Sequence, residues 1–186
     1  MITIVTGIPR SGTSLIMQML QKGGMEILTD NVREADESNP KGYFEYEKVK
    51  SLQTDSSWLL DGDGKAVKII AQLLKYLLLQ FEYKVIFIER NMEEILLSQQ
   101  KMLKKMGQKT QSQNTILSNI FKKQIEDSKT WLETKTNIST LYIKHTDSIF
   151  HAQETANQIN EFLGLNLNEK EMTRAVDKTL YRQRAG

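Results

Sequence analysis

The sequence contains no cysteine and only two histidines, His145 and His151, among its 186 residues. Thiol catalysis, disulfide bonds and cysteine-based zinc sites are therefore excluded, and two histidines alone cannot build a histidine-rich metal centre. Proline is also scarce, at two residues, and the chain is 39% hydrophobic and 26% charged. This composition excludes a collagen-like or disordered chain. We expect no metal at the functional site.

Neither an excess of one charge sign nor a long apolar run is present. The 25 Lys and Arg residues against 23 Asp and Glu residues leave a net charge of +2, which does not indicate an extended nucleic-acid surface. The longest apolar stretch, residues 76–79, is far shorter than the roughly 20 residues of a membrane span. No signal-peptide pattern precedes the first apolar run. We expect a cytoplasmic protein with no membrane span and no nucleic-acid partner; its oligomeric state stays open.

Short apolar runs alternate with helical patterns along the chain. The first helical pattern has apolar residues spaced to form one helix face, and Gly23-Gly24 ends it. Alternating strands and helices are typical of a parallel sheet. The sequence predicts one α/β domain over residues 1–186, a P-loop nucleotide-kinase-like parallel sheet with helices on both faces. Strands are predicted at 2–5, 25–28, 66–70, 84–89 and 140–143. Further helices are predicted at 44–52, at 72–80, after Asn91, at 120–132 and at 155–163. A mobile loop or lid is predicted at 107–118.

A glycine-bearing loop lies between the first strand and the first helix. Its spacing, Gly7 to Gly12 with four residues between, is that of a P-loop, in which backbone N–H groups converge on a phosphate. Thr13 occupies the position where nucleotide hydrolases have lysine, and the cation lies inside the loop at Arg10. ATP hydrolysis is therefore a poor fit. The alternative is a turn before a helix with no ligand. The candidate binding residues are Pro9, Arg10, Ser11, Gly12, Thr13 and Ser14.

The segment Pro9-Arg10-Ser11-Gly12-Thr13-Ser14-Leu15 resembles the 5′-phosphosulfate-binding loop of the sulfotransferase family. In that family the loop holds the 5′-phosphate of 3′-phosphoadenosine 5′-phosphosulfate (PAPS). The arginine is similar to the bacterial and Golgi-type members, whereas cytosolic members carry lysine there. The resemblance implies a P-loop sulfotransferase with PAPS as the sulfuryl donor and no metal.

The same family has an arginine at a strand end and a serine in the following helix, which together hold the 3′-phosphate. Arg90 and Ser98 match that pattern in residue type and spacing. An arginine offers a fork of donors to phosphate oxygens, and a serine hydroxyl adds one more. The alternative is that Arg90 pairs with Glu93 or Glu94 on the surface and Ser98 only fills a helix position.

Further matches extend the resemblance over most of the chain. Residues 39–45 are similar to the family's "NPxGYFE" segment, and 64–68 resemble the strand whose final lysine, here Lys68, lies beside the sulfuryl group. Residues 141–147 and 159–165 resemble the late "YEDL" and "FLGL" segments. Two departures stand out: Lys144-His145 replaces an acidic pair, and Ile69 stands where a proline usually follows the lysine.

Sulfuryl transfer needs cations near the bridging oxygen and a base for the acceptor's proton. Arg10 and Lys68 are the candidate cations. For the base we rank Glu45 first, because its apolar neighbours Tyr43 and Phe44 are expected to raise the pKa of its carboxyl group. Asp30 ranks second, at the spacing where tyrosyl-protein members have a glutamate. His145 is expected to be a polar residue at the surface or at the core edge and not the base.

The resemblance leaves the acceptor open, so a small molecule, glycan, lipid or peptide with a hydroxyl or amine all remain. The variable 107–130 segment is expected to shape the acceptor pocket. Two other functions stay in view. One is a small P-loop kinase that phosphorylates a metabolite, and the other is an inactive nucleotide-binding module.

Overall fold

Parallel strands form the sheet at the centre of the fold. The computed structural model describes residues 1–30, 32–36, 39–105, 107 and 114–182. In this part of the chain the sheet has four strands in the order β2-β1-β3-β4, and each neighbouring pair is parallel. Their bounds are β1 Ile2–Thr6, β2 Ala66–Lys68, β3 Tyr83–Glu89 and β4 Ile138–Lys144.

Helices surround this sheet. The α-helices are α1 Thr13–Lys22, α2 Met92–Lys105, α3 Asn114–Glu133, α4 His145–Phe150, α5 Ala152–Leu163 and α6 Glu169–Arg174. Short 3-10 helices cover Glu47–Ser51, Ser57–Gly62, Ala71–Tyr76 and Lys178–Leu180.

Each face of the sheet has its own apolar core. On one face, alternate strand residues such as Ile4 and Val85 pack with Leu132 of α3 and with the 3-10 helices. On the other face, Val5 and Ile86 pack with α1, α5 and α6. Because strand side chains alternate between faces, strands covered on both sides favour continuous apolar runs. β3 has such a run at 85–88, and β1 is buried throughout although Thr3 and Thr6 interrupt its apolar residues. The predicted parallel α/β sheet with helices on both faces is confirmed.

Local signals also placed two helix ends correctly. Asn91 caps α2, because its Oδ1 accepts hydrogen bonds from the backbone N–H of Glu93 at 2.8 Å and of Glu94 at 3.4 Å. Gly164 ends α5 in a left-handed conformation at φ 66°. Both residues act as general capping chemistry predicts.

The predicted strand at 25–28 is wrong. Only Ile27 forms a bridge, to Ala66 at the edge of the sheet. The chain then leaves the sheet, because Thr29 donates its hydroxyl to the Glu45 carbonyl at 2.7 Å and Asp30 donates its backbone N–H to the same oxygen at 3.4 Å. The segment therefore pairs with β2 only around Ile27, where Ala66 bonds to the backbone of Glu26 and Leu28, and then turns toward the cleft.

The predicted helices at 44–52 and 72–80 are shorter and tighter than expected. Phe44 has φ 53°, which is incompatible with a right-handed helix, so the first begins only at Glu47. The second is the 3-10 helix Ala71–Tyr76, and it ends because Leu77 takes an extended conformation.

The predicted loop or lid at 107–118 is partly a helix. Residues 114–118 form the first turns of α3, which therefore begins before the predicted start at residue 120. Gly107 lies in a turn, and residues 108–113 lie outside the described part of the chain.

The buried face of α1 carries much of the core that supports the phosphate loop. Ile16 on this helix is fully buried, whereas Ile116 on α3 is 63% exposed. We expect Ile16→Ala to lower the free energy of unfolding by about 2–5 kcal/mol, because it leaves a cavity. Ile116→Ala is the matched control and is expected to change it by less than about 0.5 kcal/mol. Urea denaturation measures both, and equal losses would contradict the assignment of the buried face.

Candidate active site

The candidate site lies where the carboxyl ends of the strands meet, as expected for an open parallel sheet. The phosphate loop follows β1, Lys68 ends β2, Arg90 follows β3 and His145 follows β4. Together with segments from 33–45 and 175–182, these strand ends line a cleft of about 400 Å³.

The phosphate loop is a tight turn with unusual backbone angles. Arg10 has φ 70° and Gly12 has φ 107°, both in the left-handed region. A Cβ on Gly7 would overlap the Ser11 hydroxyl and come within 2.9 Å of the Ile88 carbonyl, so the loop closes only with glycine there. No side chain among the described residues caps the first turn of α1. The helix N-terminus is therefore directed at the cleft, as in anion-binding loops.

Ser11 supplies a buried polar atom with no hydrogen-bond partner among the described residues. Its side chain is 1% exposed, and its Oγ lies inside the loop. An unsatisfied buried hydroxyl is costly unless a ligand or water completes it. This hydroxyl lies against Gly7 and does not line the cleft, so the fit to a phosphate group rests on the glycine-bearing turn and the start of α1.

Arg10, Arg90 and Ser98, which were predicted to bind two different phosphates, form one cluster. Arg10 Nε donates to Ser98 Oγ at 2.9 Å, and Arg90 Nη1 donates to the Arg10 carbonyl at 3.1 Å. Burial lowers the pKa of the Arg10 guanidinium, although not enough to neutralise it near pH 7. The topology thus joins residues that are 80 and 88 positions apart in the sequence.

Two further residues complete this cluster and were not predicted as part of it. Glu94 is 3% exposed and accepts from Arg90 Nε at 2.8 Å. Its other oxygen accepts a hydrogen bond from the hydroxyl of Tyr181. Sequence reasoning considered an Arg90–Glu94 pair only as a surface alternative. The spacing of four residues between Arg90 and Glu94 indicates that the two side chains can pair on one helix face. It does not indicate that the pair is buried.

The segment around Tyr43 covers the start of α1. The Asn39 amide donates to Ser14 Oγ at 3.0 Å and to the Gly42 carbonyl at 2.6 Å, which fixes the turn. Lys68 donates its ammonium to the Tyr43 carbonyl. The left-handed backbone of Phe44 reverses the chain between this carbonyl and Glu45. Lys68 and Glu45 are therefore brought together at the end of β2.

The surroundings of Glu45 differ from those expected. Its Oε1 lies 2.7 Å from Arg33 Nη1 and 3.5 Å from Lys68 Nζ. The expected apolar neighbourhood is wrong, because Tyr43 turns its ring to the Arg33 guanidinium, whose Cζ lies 3.5 Å from the ring centroid. Arg33 was not identified from the sequence, since no motif residue points to it.

Lys68 is a mostly buried ammonium. Burial lowers its pKa to about 8, and the nearby Glu45 carboxylate only partly opposes this effect. Near neutral pH its charged form dominates, and it lies within reach of the same cleft as Arg10.

Asp30 is engaged with the backbone instead of lining the cleft. Its carboxylate accepts from the N–H of Glu47 at 2.5 Å and of Val32 at 3.1 Å, so it caps the 3-10 helix Glu47–Ser51. Burial acts to raise the pKa of Asp30, but these backbone donors outweigh it and hold the pKa below its usual value. Asp30 therefore has a structural role and does not line the cleft, whereas Glu45 does.

His145 lies under the phosphate loop. It is 7% exposed, and a Cβ on Gly12 would overlap its ring, with Nε2 at 2.9 Å. Burial, with a smaller effect of Arg90, lowers its pKa to about 3, so the imidazole is neutral. Of the two expected positions, the surface and the core edge, its burial fits the core edge.

Cations dominate the lining of the cleft, so the charge of the cleft favours an anionic ligand. The described lining contains seven cationic side chains (Arg10, Arg33, Lys41, Lys68, Arg90, Lys101 and Arg182) and two acidic ones (Glu45 and Asp177). Within the described ranges, no group of three His, Cys, Asp or Glu residues is arranged to hold a metal ion. No described helix is long and apolar enough to cross a membrane.

Comparison with known proteins identifies the family. The family model described as the sulfotransferase domain matches residues 2–184, so the chain belongs to this family. The resemblance seen in the sequence is thereby confirmed. Among curated proteins, no sequence matches at a significant level.

Solved structures with the same fold include three sulfotransferases. The sulfotransferase domain from the curacin biosynthetic pathway has a TM-score of 0.59 and 15% identity, covering 95% of this chain and 77% of that one. The domain from the Synechococcus PCC 7002 olefin synthase has a TM-score of 0.59 and 14% identity, covering 99% and 88%. Mouse SULT7A1, complexed with PAP, has a TM-score of 0.54 and 17% identity, covering 99% and 66%. At these identities the likeness supports the fold alone.

The contact between Gly12 and His145 yields a prediction. Gly12→Ala and Gly24→Ala both place a side chain at positive φ, but a Cβ at position 24 meets no atom within 4 Å. We expect each to lose about 1–2 kcal/mol of stability from backbone strain. Gly12→Ala is expected to lose about 1–3 kcal/mol more from overpacking against His145.

Urea denaturation of both variants measures the difference. The double variant Gly12→Ala/His145→Ala is expected to lose less stability than the sum of the two single variants, because removing the ring relieves the overlap. Equal losses at positions 12 and 24 would show that the ring does not restrict the loop.

Proposed function

We propose that this chain is a PAPS-dependent sulfotransferase that transfers a sulfuryl group to a hydroxyl or amine of an acceptor. The cluster of Arg10, Arg90 and Ser98 beside the phosphate loop carries the proposal. It offers two anion sites at the ends of neighbouring strands, which suits a nucleotide with phosphates at both the 5′ and 3′ positions. Sulfotransferase family membership supports this proposal.

In this proposal the loop from Pro9 to Ser14 surrounds the 5′-phosphosulfate. The backbone N–H groups of Gly12, Thr13 and Ser14 donate to it, whereas Pro9, which has no N–H, and Ser11, whose N–H bonds to the Ile8 carbonyl, shape the loop. Arg90 and Ser98 bind the 3′-phosphate. Thr13 in place of a P-loop lysine argues against ATP, which needs that cation at its β- and γ-phosphates. PAPS supplies an activated sulfuryl group whose leaving group is a phosphate.

Arg10 and Lys68 are proposed to stabilise negative charge on the bridging oxygen during in-line transfer. Both are partly or mostly desolvated, which strengthens their interaction with an anion. Lys68 must leave the Tyr43 carbonyl to do this, and its flexible stem allows that movement.

Glu45 is the proposed base for the acceptor. Its carboxylate lies inside the cleft and shares Oε1 with Arg33 and Lys68. When Lys68 turns toward the donor, it leaves the carboxylate, and Arg33 remains as the partner of Glu45. The acceptor class, whether small molecule, glycan, lipid or peptide, is not defined by these residues.

We further propose that residues 1–186 form a single domain.

The donor prediction is tested by thermal shift. We expect adenosine 3′,5′-bisphosphate (PAP) at 100 times its Kd to stabilise the protein by about 2.7 kcal/mol, with EDTA present, because it fills both phosphate sites. This corresponds to a rise in Tm of roughly 5–10 °C for a chain of this size. ATP with magnesium is expected to give a much smaller shift, and equal shifts would favour a phosphoryl-transfer enzyme.

Variants locate the 3′-phosphate in the same assay. Arg90→Ala is expected to weaken PAP binding by about 1.5–3 kcal/mol, and Ser98→Ala by about 0.5–1.5 kcal/mol. Arg174→Ala is the matched control, because Arg174 pairs with Glu171 on α6 and does not line the cleft. Unchanged affinity in Arg90→Ala would place the 3′-phosphate elsewhere.

The base is tested by turnover. Sulfate transfer from labelled PAPS is first screened on sugars, phenols, lipids and peptides to find an acceptor. With that acceptor, we expect Glu45→Gln to lower kcat by about 10²–10⁴-fold, because the amide cannot take a proton. The affinity for PAP is expected to stay within about 3-fold, since Glu45 makes no phosphate contact in the proposal.

Two other carboxylates are compared with Glu45. Glu47→Gln is the control, since Glu47 pairs with the exposed Lys50 outside the cleft. Asp30→Asn is the rival variant and is expected to retain turnover. A large loss in Asp30→Asn with normal turnover in Glu45→Gln would reverse the assignment.

A further inference from the structure

Glu94 is a buried carboxylate that the proposed chemistry does not use. It lies in the first turn of α2 and is 3% exposed. One oxygen accepts from Arg90 Nε at 2.8 Å, and the other accepts from the hydroxyl of Tyr181. A buried charge persists only when partners of this kind satisfy it. Glu94 therefore ties together an arginine of the nucleotide site and a residue near the end of the chain.

Tyr181 is the central contact of that end of the chain. It is 9% exposed, and its ring centroid lies 5.7 Å from those of both His145 and Phe150. The guanidinium carbon of Arg90 lies 5.8 Å from the same ring. Tyr181 is thus held by both its hydroxyl and its ring.

Tyr181 reaches the phosphate loop by two routes. Through Glu94 it is linked to Arg90, which donates to the Arg10 carbonyl at 3.1 Å. Through its ring it contacts His145, whose imidazole fills the space beside Gly12. Each route ends on the backbone of the loop, at positions 10 and 12.

The residues around Tyr181 form one side of the cleft, which we term the C-terminal wall (residues 175–182). Five of them line the cleft: Ala175, Asp177, Leu180, Tyr181 and Arg182. A second tie holds this wall, because Lys41 donates its ammonium to the Ala175 carbonyl at 2.7 Å. The wall is therefore attached to α2 through Tyr181 and Glu94, and to the segment around Tyr43 through Ala175 and Lys41.

We propose that Glu94 and Tyr181 are positioning residues that couple docking of the C-terminal wall to nucleotide binding. Glu94 fixes the direction of the Arg90 guanidinium, and Tyr181 holds Glu94 and His145 against the loop. The inference rests on the proposed function, because the nucleotide is the one proposed above. Coupling of this kind is reciprocal, so the nucleotide also stabilises the docked wall.

A competing account makes the opposite prediction. If Glu94 only neutralised Arg90, it would compete with a phosphate for that cation, and removing its charge would increase affinity for the nucleotide. If Glu94 positions Arg90, removing its charge lowers affinity, although the cleft becomes more positive. The sign of the change separates the two accounts.

The first measurement is calorimetric binding of PAP to the full chain. Glu94→Gln and Tyr181→Phe are each expected to lower affinity by about 5- to 10-fold, the effect of losing one hydrogen bond. Tyr181→Phe leaves the Glu94 carboxylate and the ring contacts of residue 181 in place, so it serves as the second test if Glu94→Gln fails to fold. Tyr142→Phe is the matched control, since Tyr142 is 38% exposed on β4 and does not line the cleft. In the double variant the losses are expected to be less than additive.

The second measurement tests reciprocity. Trypsin cuts after Lys178 and Arg182, which are both exposed within the wall. PAP is expected to slow these cuts several-fold in the wild-type chain and in Tyr142→Phe, but little in Tyr181→Phe, because protection requires docking. Higher affinity in Glu94→Gln, or full protection in Tyr181→Phe, would overturn the inference and leave the proposed function intact. Absence of PAP binding to the wild-type chain would overturn both.

Discussion

The left-handed backbone of Arg10 is the constraint on which the nucleotide side of the cleft depends. An arginine at φ 70° costs about 1–2 kcal/mol relative to ordinary backbone. That conformation turns the Arg10 carbonyl to Arg90 and lets its side chain reach Ser98. Strain of this size persists only when the surroundings fix it, and here Arg90 after β3 and Ser98 within α2 both hold Arg10.

Much of this arrangement follows from the sequence because its signals are local. The continuous apolar run of β3, the glycine spacing of the loop and the capping asparagine at position 91 each act over a few residues. Parallel topology then brings strand ends together, so Arg10, Lys68 and Arg90 meet without any direct sequence link. The family resemblance added Ser98, whose helix position alone carries no information about a phosphate.

The rest depends on contacts between distant segments. The pairing of Glu45 with Arg33 requires the reversal at Phe44, and no local pattern predicts a left-handed phenylalanine. The hydroxyl bond from Tyr181 to Glu94 spans 87 residues, and the fit of His145 beside Gly12 joins the first and fourth strands. For the same reason the strand predicted at 25–28 is reduced to a single bridge, since the chain turns away after Leu28, where Thr29 and Asp30 bond to the Glu45 carbonyl.

The pKa of Lys68, which burial lowers to about 8, gives the cleft an adjustable charge. Other cations such as Arg10 stay protonated whatever is bound, but the ammonium of Lys68 exchanges its proton within the range of ordinary buffers. An arriving polyanion raises that pKa and draws a proton onto the side chain, and a departing one lets the proton leave again. Above about pH 8, where unbound Lys68 loses its proton, an anion in the cleft is therefore expected to restore the positive charge of this side chain.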